Sequence, residues 1–256
     1  AASNTGVGMV RLNSTRRVED LVLHYAPGVV TVGGRIQSGV IGPGCTNERY
    51  EDCRELAQFC IDSKLPLVID AGALDLVKGL RDYADAQSRS LSRAILTPHH
   101  GEAARLLTQL GSPRSRADID ADPAASANEL ALLTGAVILL KSSTTVCSYL
   151  HHDQGSRTQE IVSILQENPW AGVAGSGDVL AGAVAGIAAG FQARAERRQG
   201  NPSISEAECA TLASLGAWVH AQAAFRAGVG SQGHVHPIQA IDIARALPEI
   251  IGELCS

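Results

Sequence analysis

Two rhythms of apolar residues take turns along the chain as far as Lys141. Glu51–Ser63 (EDCRELAQFCIDS) sets Cys53, Leu56, Phe59 and Cys60 at helical spacing and predicts an amphipathic helix. The short aliphatic run Leu65–Asp70 (LPLVID) that follows is of strand type. Strand-like AILT ends at Thr97 and leads into Gly101–Gly111 (GEAARLLTQLG), a helix closed by glycine. Ser126–Gly135 (SANELALLTG) is a second glycine-closed helix, and Ala136–Lys141 (AVILLK) a buried strand. Near-continuous aliphatic strands separated by helices imply a parallel sheet covered on both faces.

Beyond Lys141 the pattern changes. Thr144–Leu150 (TTVCSYL) and Glu160–Leu165 (EIVSIL) are separated by polar His151–Gln159, which predicts an antiparallel hairpin at one edge. From Asp178 the chain reads as mostly helical and ends in Ile238–Ile251 (IQAIDIARALPEII). Ser112–Ala124 and Arg194–Ser205 read as polar loops, the three arginines of the second forming a solvated face. No internal repeat divides the chain. The expectation is one α/β domain over residues 1–256, a three-layer α/β/α sandwich with a mostly parallel central sheet and an antiparallel edge hairpin.

Composition narrows the function. With 45% hydrophobic and 18% charged residues the chain has the balance of a soluble globular protein. Few aromatics (4%) and 26 glycines favour a core of small aliphatic side chains. A net charge of −5 without a basic block argues against nucleic acid. The apolar run Val179–Phe191 is too short and glycine-rich to span a bilayer. The six cysteines, Cys45, Cys53, Cys60, Cys147, Cys209 and Cys255, form no C-x-x-C pair and no zinc spacing. They are expected to be thiols in a reducing compartment, which points to the cytoplasm; no metal-ligating set is expected.

In an open parallel sheet, ligands collect beyond the carboxyl ends of the strands. Four such ends carry polar or glycine-rich clusters: Gly42-Pro43-Gly44, Asp70-Ala71-Gly72, Thr97-Pro98-His99-His100-Gly101-Glu102, and Lys141-Ser142-Ser143-Thr144-Thr145. Each has a plain structural alternative. Asp70 could cap the next helix, the histidines could be loop residues, and Glu102 suits a helix first turn. Lys141 could reach out to water, and Asn168-Pro169 could be a turn. As a ligand set, Lys141 with the hydroxyls after it offers one cation and several donors, suited to a phosphate chain.

Asn168–Gly190 (NPWAGVAGSGDVLAGAVAGIAAG) adds a helix start. Gly175, Ser176 and Gly177 leave unpaired N–H groups at the positive end of the helix dipole, where an anion is favoured. Asp178 would then stand beside a transferring phosphoryl group, placed to take a proton from an attacking hydroxyl; the plain alternative is an ordinary glycine-serine cap with aspartate in the first turn.

These residues resemble the ribokinase-like superfamily, whose kinases carry G-x-G-D at a helix N-terminus. Within it the chain is most similar to the ADP/ATP-dependent NAD(P)H-hydrate dehydratases. VIGPG (Val40–Gly44), DAGAL (Asp70–Leu74), TPHHGEAARLL (Thr97–Leu107), LKSSTTV (Leu140–Val146) and NPWAGVAGSGDVLAG (Asn168–Gly182) follow that family's motifs in order over nearly the whole chain. The resemblance implies a ribokinase-like fold and a repair reaction. ADP or ATP with Mg2+ phosphorylates the hydroxyl of hydrated NADH or NADPH, and phosphate loss restores the dinucleotide. It implies Asp178 as base and Lys141, Ser142, Ser143, Thr144 and Thr145 as the nucleotide site, with Gly175, Ser176 and Gly177 forming the anion hole. Gly44 and His99 would contact the hydrate; Asp70, Glu102, Asn168 and Asp178 join them as candidate substrate contacts. A homo-oligomer is expected by the same analogy.

Three departures bear on this. Ser142 stands where the family has glycine, and Val173 where threonine is frequent. The family's opening strand and glycine-rich turn do not precede Gly6-Val7-Gly8-Met9-Val10. Part of the substrate wall is therefore expected to be lacking, the sequence being either trimmed or that of a degenerate paralogue. A small-molecule kinase of the same superfamily and a non-catalytic nucleotide-binding paralogue are the alternatives.

Overall fold

Three of the four short parallel strands are buried on both sides, and the alternation of their side chains sorts them into two cores; the first, at the sheet edge, exposes Val40. The computed structural model describes residues 1–153, 156–198, 203–230 and 233–255. Its sheet comprises β1 (Gly39–Ile41), β2 (Leu67–Ile69), β3 (Ala94–Leu96), β4 (Val137–Leu140), β5 (Thr144–Asp153) and β6 (Ser156–Leu165). Their spatial order is their chain order. β1 to β4 pair in parallel, while β5 runs antiparallel to both β4 and β6.

The helices that return the chain between parallel strands lie on one face. They are α2 (Tyr50–Asp62), α3 (Val77–Ala86), α4 (His100–Gln109) and α6 (Pro123–Thr134). Right-handed crossovers that always step in the same direction along a sheet place their helices on the same side. Leu67, Ile69, Leu96, Ile138 and Leu140 point into this layer. Val68, Ile95, Val137 and Leu139 point the other way, against α7 (Ser176–Ala195), α8 (Glu206–Gly228) and α9 (Ala240–Cys255). The result is the expected three-layer α/β/α sandwich with an antiparallel edge.

Local chemistry sets the helix ends. Asp122 caps α6 by accepting from the Ala125 N–H at 2.9 Å, Pro123 occupies the first turn, and Gly135 closes the helix at φ 69°. The alanine- and glycine-rich α7 and α8 are apolar nearly all round because they lie between the sheet and α9. They approach so closely that a Cβ at Gly216 would come within 2.6 Å of Val184. Ahead of β1, α1 (Arg16–Tyr25) buries none of its residues. Among the described residues no helix is long and apolar enough to cross a membrane.

Three expectations are corrected. Ser112–Ala124 is not a loop: α5 (Arg116–Ala121) forms there through a capping box in which Ser115 and Asp118 satisfy each other's N–H groups, with Ile119 buried as its anchor. His151–Gln159 is not merely a connection, since the pairing of β5 and β6 continues from both sides to Asp153 and Ser156. Backbone pairing needs no apolar side chain, so polarity marked this ribbon wrongly; its turn lies outside the described residues. Phe59, placed by spacing on the apolar stripe of α2, is 51% exposed; of that stripe Cys60 is buried, together with Ala57 and Ile61, which lay outside it. In the second polar segment, residues 199–202 lie outside the described residues, while α7 runs on to Ala195.

Candidate active site

Four strand ends and one helix start meet at the carboxyl edge of the sheet. The turn after β1 rests directly on the end of β2. Gly42 has φ 121°, and a Cβ there would lie 1.7 Å from the Asp70 carbonyl oxygen, so no other residue fits. Gly44, at φ 67°, is exposed and has nothing above it. The next strand end, Ala71, also takes a left-handed conformation, φ 47°, which turns the chain sharply away after Asp70.

Asp70 does not cap the helical turn that follows it. Its carboxylate instead accepts from Thr97 Oγ1 at 2.8 Å and from Lys141 Nζ at 2.6 Å, linking the ends of β2, β3 and β4. Thr97 is buried, and the Asp70 side chain is only 2% exposed. Lys141 is pinned through its backbone as well, its N–H bonding to Pro98 O at 2.8 Å. Glu102 approaches the same ammonium at 3.9 Å while accepting the His99 N–H at 2.8 Å.

The N-terminus of α7 faces this cluster. Gly175 takes φ 85° and offers no side-chain cap. Ser176 N bonds to Val173 O and Val179 N to Gly175 O, whereas the N–H groups of Gly177 and Asp178 make no backbone hydrogen bond among the described residues. A Cβ on Gly177 would sit 3.2 Å from Lys141 Nζ and 3.9 Å from Asp70 Oδ2. Two free donors, the helix dipole and an ammonium thus converge on one point, the geometry of an anion site. Asp178 stands at its rim. Partial desolvation, reinforced by the nearby negative charge of Asp70 and opposed by Lys141, raises its carboxyl above the ordinary aspartate value.

His220 of α8 supports the turn from beneath. Its Nε2 lies 3.1 Å from Ser176 O and 3.2 Å from Ser176 Oγ. A protonated Nε2 satisfies both contacts, donating to the carbonyl and the hydroxyl oxygen. Burial lowers its pKa to about 4, so the ring is neutral at physiological pH. His220 was absent from the sequence-derived site, and Thr97 entered it only as a member of a strand-end cluster, with no role of its own. A histidine inside the otherwise apolar stretch Leu215–Ala221 was the available signal, since a buried imidazole needs a partner.

The remaining candidates divide. Ser142 Oγ donates to Thr144 O at 2.6 Å and accepts from Thr144 N at 3.2 Å, folding Lys141–Thr145 into the tight β4–β5 turn. His99 caps α4, its Nδ1 accepting from the N–H groups of Gly101 and Glu102, while its Nε2, on an exposed ring edge, lies 3.6 Å from Glu102 Oε1. His100 turns instead to Asp120 of α5. Asn168 is not brought to the cluster's surface. It is fully buried, with Nδ2 donating to Ala224 O at 2.8 Å and Oδ1 accepting from Trp170 N at 2.9 Å. Its side chain tethers the approach to α7 onto α8.

The NAD(P)H-hydrate dehydratase family profile matches residues 1–244. The chain belongs to that family. It is 34% identical over 191 residues to the bifunctional NAD(P)H-hydrate repair enzyme Nnr of Mycobacterium tuberculosis, covering 71% of this chain and 35% of that protein. It is 35% identical over 163 residues to the ADP-dependent (S)-NAD(P)H-hydrate dehydratase of Neisseria meningitidis serogroup B, covering 62% of this chain and 44% of that protein. The aligned segments thus span about a third to under half of the length of these relatives. In fold it is similar to the ADP/ATP-dependent NAD(P)H-hydrate dehydratase of Bacillus subtilis co-crystallised with ATP/Mg2+ and soaked with CoA. That likeness has a TM-score of 0.68 at 20% identity, over 98% of this chain and 83% of that one.

Proposed function

We propose that this family member dehydrates hydrated NADH or NADPH at the expense of an adenine nucleotide. The observation that carries the reading is the convergence of the α7 N-terminus on Lys141, with Asp178 at the rim. The free N–H groups of Gly177 and Asp178 and the Lys141 ammonium stabilise the charge of the transferring phosphoryl group. The Lys141–Thr145 turn lies along the phosphate chain. Gly44 and the Nε2 edge of His99 line the side from which the hydrate approaches. Asp178 accepts the hydroxyl proton as the hydroxyl oxygen bonds to phosphorus and the bond to the nucleotide breaks. Loss of the phosphate, with its bonding pair, and of a neighbouring ring proton then restores the ring double bond.

Asp70, Glu102 and Asp178 set three carboxylates against one lysine, so a bare polyphosphate would meet repulsion. Among the described residues no group of three or more His, Cys, Asp or Glu side chains could hold a metal. Both facts support Mg2+ entering as part of the nucleotide complex, held by phosphate oxygens and water. ADP is the donor we favour, as the name of the Neisseria relative supports. We place the protein in the cytoplasm, and as a homo-oligomer, the latter supported by exposed Trp218 and Phe225 on one face of α8.

Purified protein mixed with hydrated NADH, Mg2+ and ADP or ATP tests the reading. Reduced-nicotinamide absorbance should return only with nucleotide, and not with Asp178→Ala. Nucleotide binding without return would overturn it, and a stable phosphate ester as product would identify a kinase instead.

A further inference from the structure

We propose that Cys45 and Cys53 form an oxidative modification site, in which peroxide converts the two thiols to a disulfide that ties the glycine-proline-glycine turn to α2. The two sulfurs are 3.0 Å apart, closer than ordinary sulfur contact and about 1 Å from the bonded separation. Both residues are half-buried and within reach of a small oxidant. Cys45 N donates to Gly42 O at 2.8 Å, which curls the turn, and Cys53 projects from the first turns of α2 toward it.

The two thiols are not equivalent. Burial and its contact with Cys45 push the Cys53 thiol up to about 12, so the attack on the oxidant is assigned to Cys45. Its sulfur attacks a peroxide oxygen, the O–O bond breaks, and hydroxide leaves to give a sulfenic acid on Cys45. The Cys53 sulfur then displaces that oxygen as water, surrendering its own proton. In sum two thiols lose two electrons and two protons, and hydrogen peroxide becomes two waters.

The modification reaches the active site through the backbone. Cys45 O packs on Gly72, where an added Cβ would approach to 2.5 Å, and Gly44 precedes Cys45 directly. Drawing the Cys45 sulfur toward α2 therefore shifts the turn that carries Gly44. This consequence for activity rests on the reading of Gly44 as a substrate contact; the chemistry of the pair does not.

The test treats the folded full chain with hydrogen peroxide, blocks free thiols with N-ethylmaleimide, and maps peptides by mass spectrometry. The expected result is a Cys45–Cys53 peptide pair lacking two hydrogens, reversed by dithiothreitol. Cys255 should stay alkylated, and buried Cys60, Cys147 and Cys209 should remain reduced. In Cys53→Ser, dimedone should trap a sulfenic acid on Cys45. Separate alkylation of Cys45 and Cys53 after peroxide, or pairing of Cys45 with another chain, would overturn the proposal whether or not the protein shows dehydratase activity.

Discussion

Lys141 Nζ and Asp70 Oδ1 form a 2.6 Å ion pair across the ends of β4 and β2, with the carboxylate almost wholly buried. The family resemblance assigns these residues to different ligands, lysine to nucleotide and aspartate to substrate. The structure makes them one unit, because an ionised group taken out of water needs a partner. Removing one member leaves the other uncompensated. Asp70→Ala should therefore lose about 3 kcal/mol of stability, measured by denaturant titration. The double variant Asp70→Leu/Lys141→Met should recover most of that loss while remaining unable to bind nucleotide. Equal losses in the single and double variants would show that the pair is not the source.

Asp178→Asn separates catalysis from folding. The proposed role of Asp178 as general base predicts that kcat falls on the order of a thousandfold with little change in nucleotide affinity. Wild-type activity should fall as pH drops through the raised Asp178 pKa. A raised carboxyl favours the folded state most below its unfolded pKa and loses that advantage as pH rises through the folded one. Asp178→Asn should thus be no less stable than wild type at neutral pH, as thermal melts would show.

His220 has the opposite sign. Its folded pKa, about 4, lies below the unfolded value of 6.5, so the unfolded chain takes up the proton first. The stability this contributes is present above the unfolded pKa and is lost as pH falls toward 4, a change of about 3 kcal/mol. Urea midpoints followed from neutral to acid pH should show this slope, and His220→Gln should flatten it. The same variant should raise the KM for nucleotide, because the Ser176 turn loses its support.

Neighbouring glycines distinguish two physical demands. At Gly42 an alanine methyl would strike the Asp70 carbonyl, a backbone atom that cannot yield without moving β2. At Gly44 nothing stands in the way, and only the left-handed φ of 67° is costly. Gly44→Ala should cost about 1 kcal/mol, the left-handed penalty for a residue with a Cβ. Gly42→Ala should cost several times more or prevent folding, as denaturant midpoints and soluble yield would register.

Much of the fold was legible because local pattern and burial agree. The aliphatic runs at Leu67, Ala94 and Val137 are strands buried on both faces, and Gly135 stops α6 as its composition indicated. Where packing is not the organising force, the pattern misled. α5 is held by a capping box, and the polar part of the β5–β6 ribbon is held by backbone pairing. Phe59 shows the limit of periodicity itself: spacing defines a stripe, but only the neighbouring layer decides which edge of that stripe is covered.

The sequence by itself determined the α/β layering, the clustering of polar residues at four strand ends, and the helix start at Gly175–Asp178 with its unpaired N–H groups. These follow from spacing, glycine placement and helix polarity, which are local properties. Tertiary structure alone decided which polar groups satisfy one another. It joined Asp70 to Lys141 and Thr97, set His220 beneath Ser176, and spent Asn168 on the backbone of α8. It also brought Cys45 against Cys53. Such pairings depend on which elements become neighbours, and a buried polar group takes the partner that packing supplies.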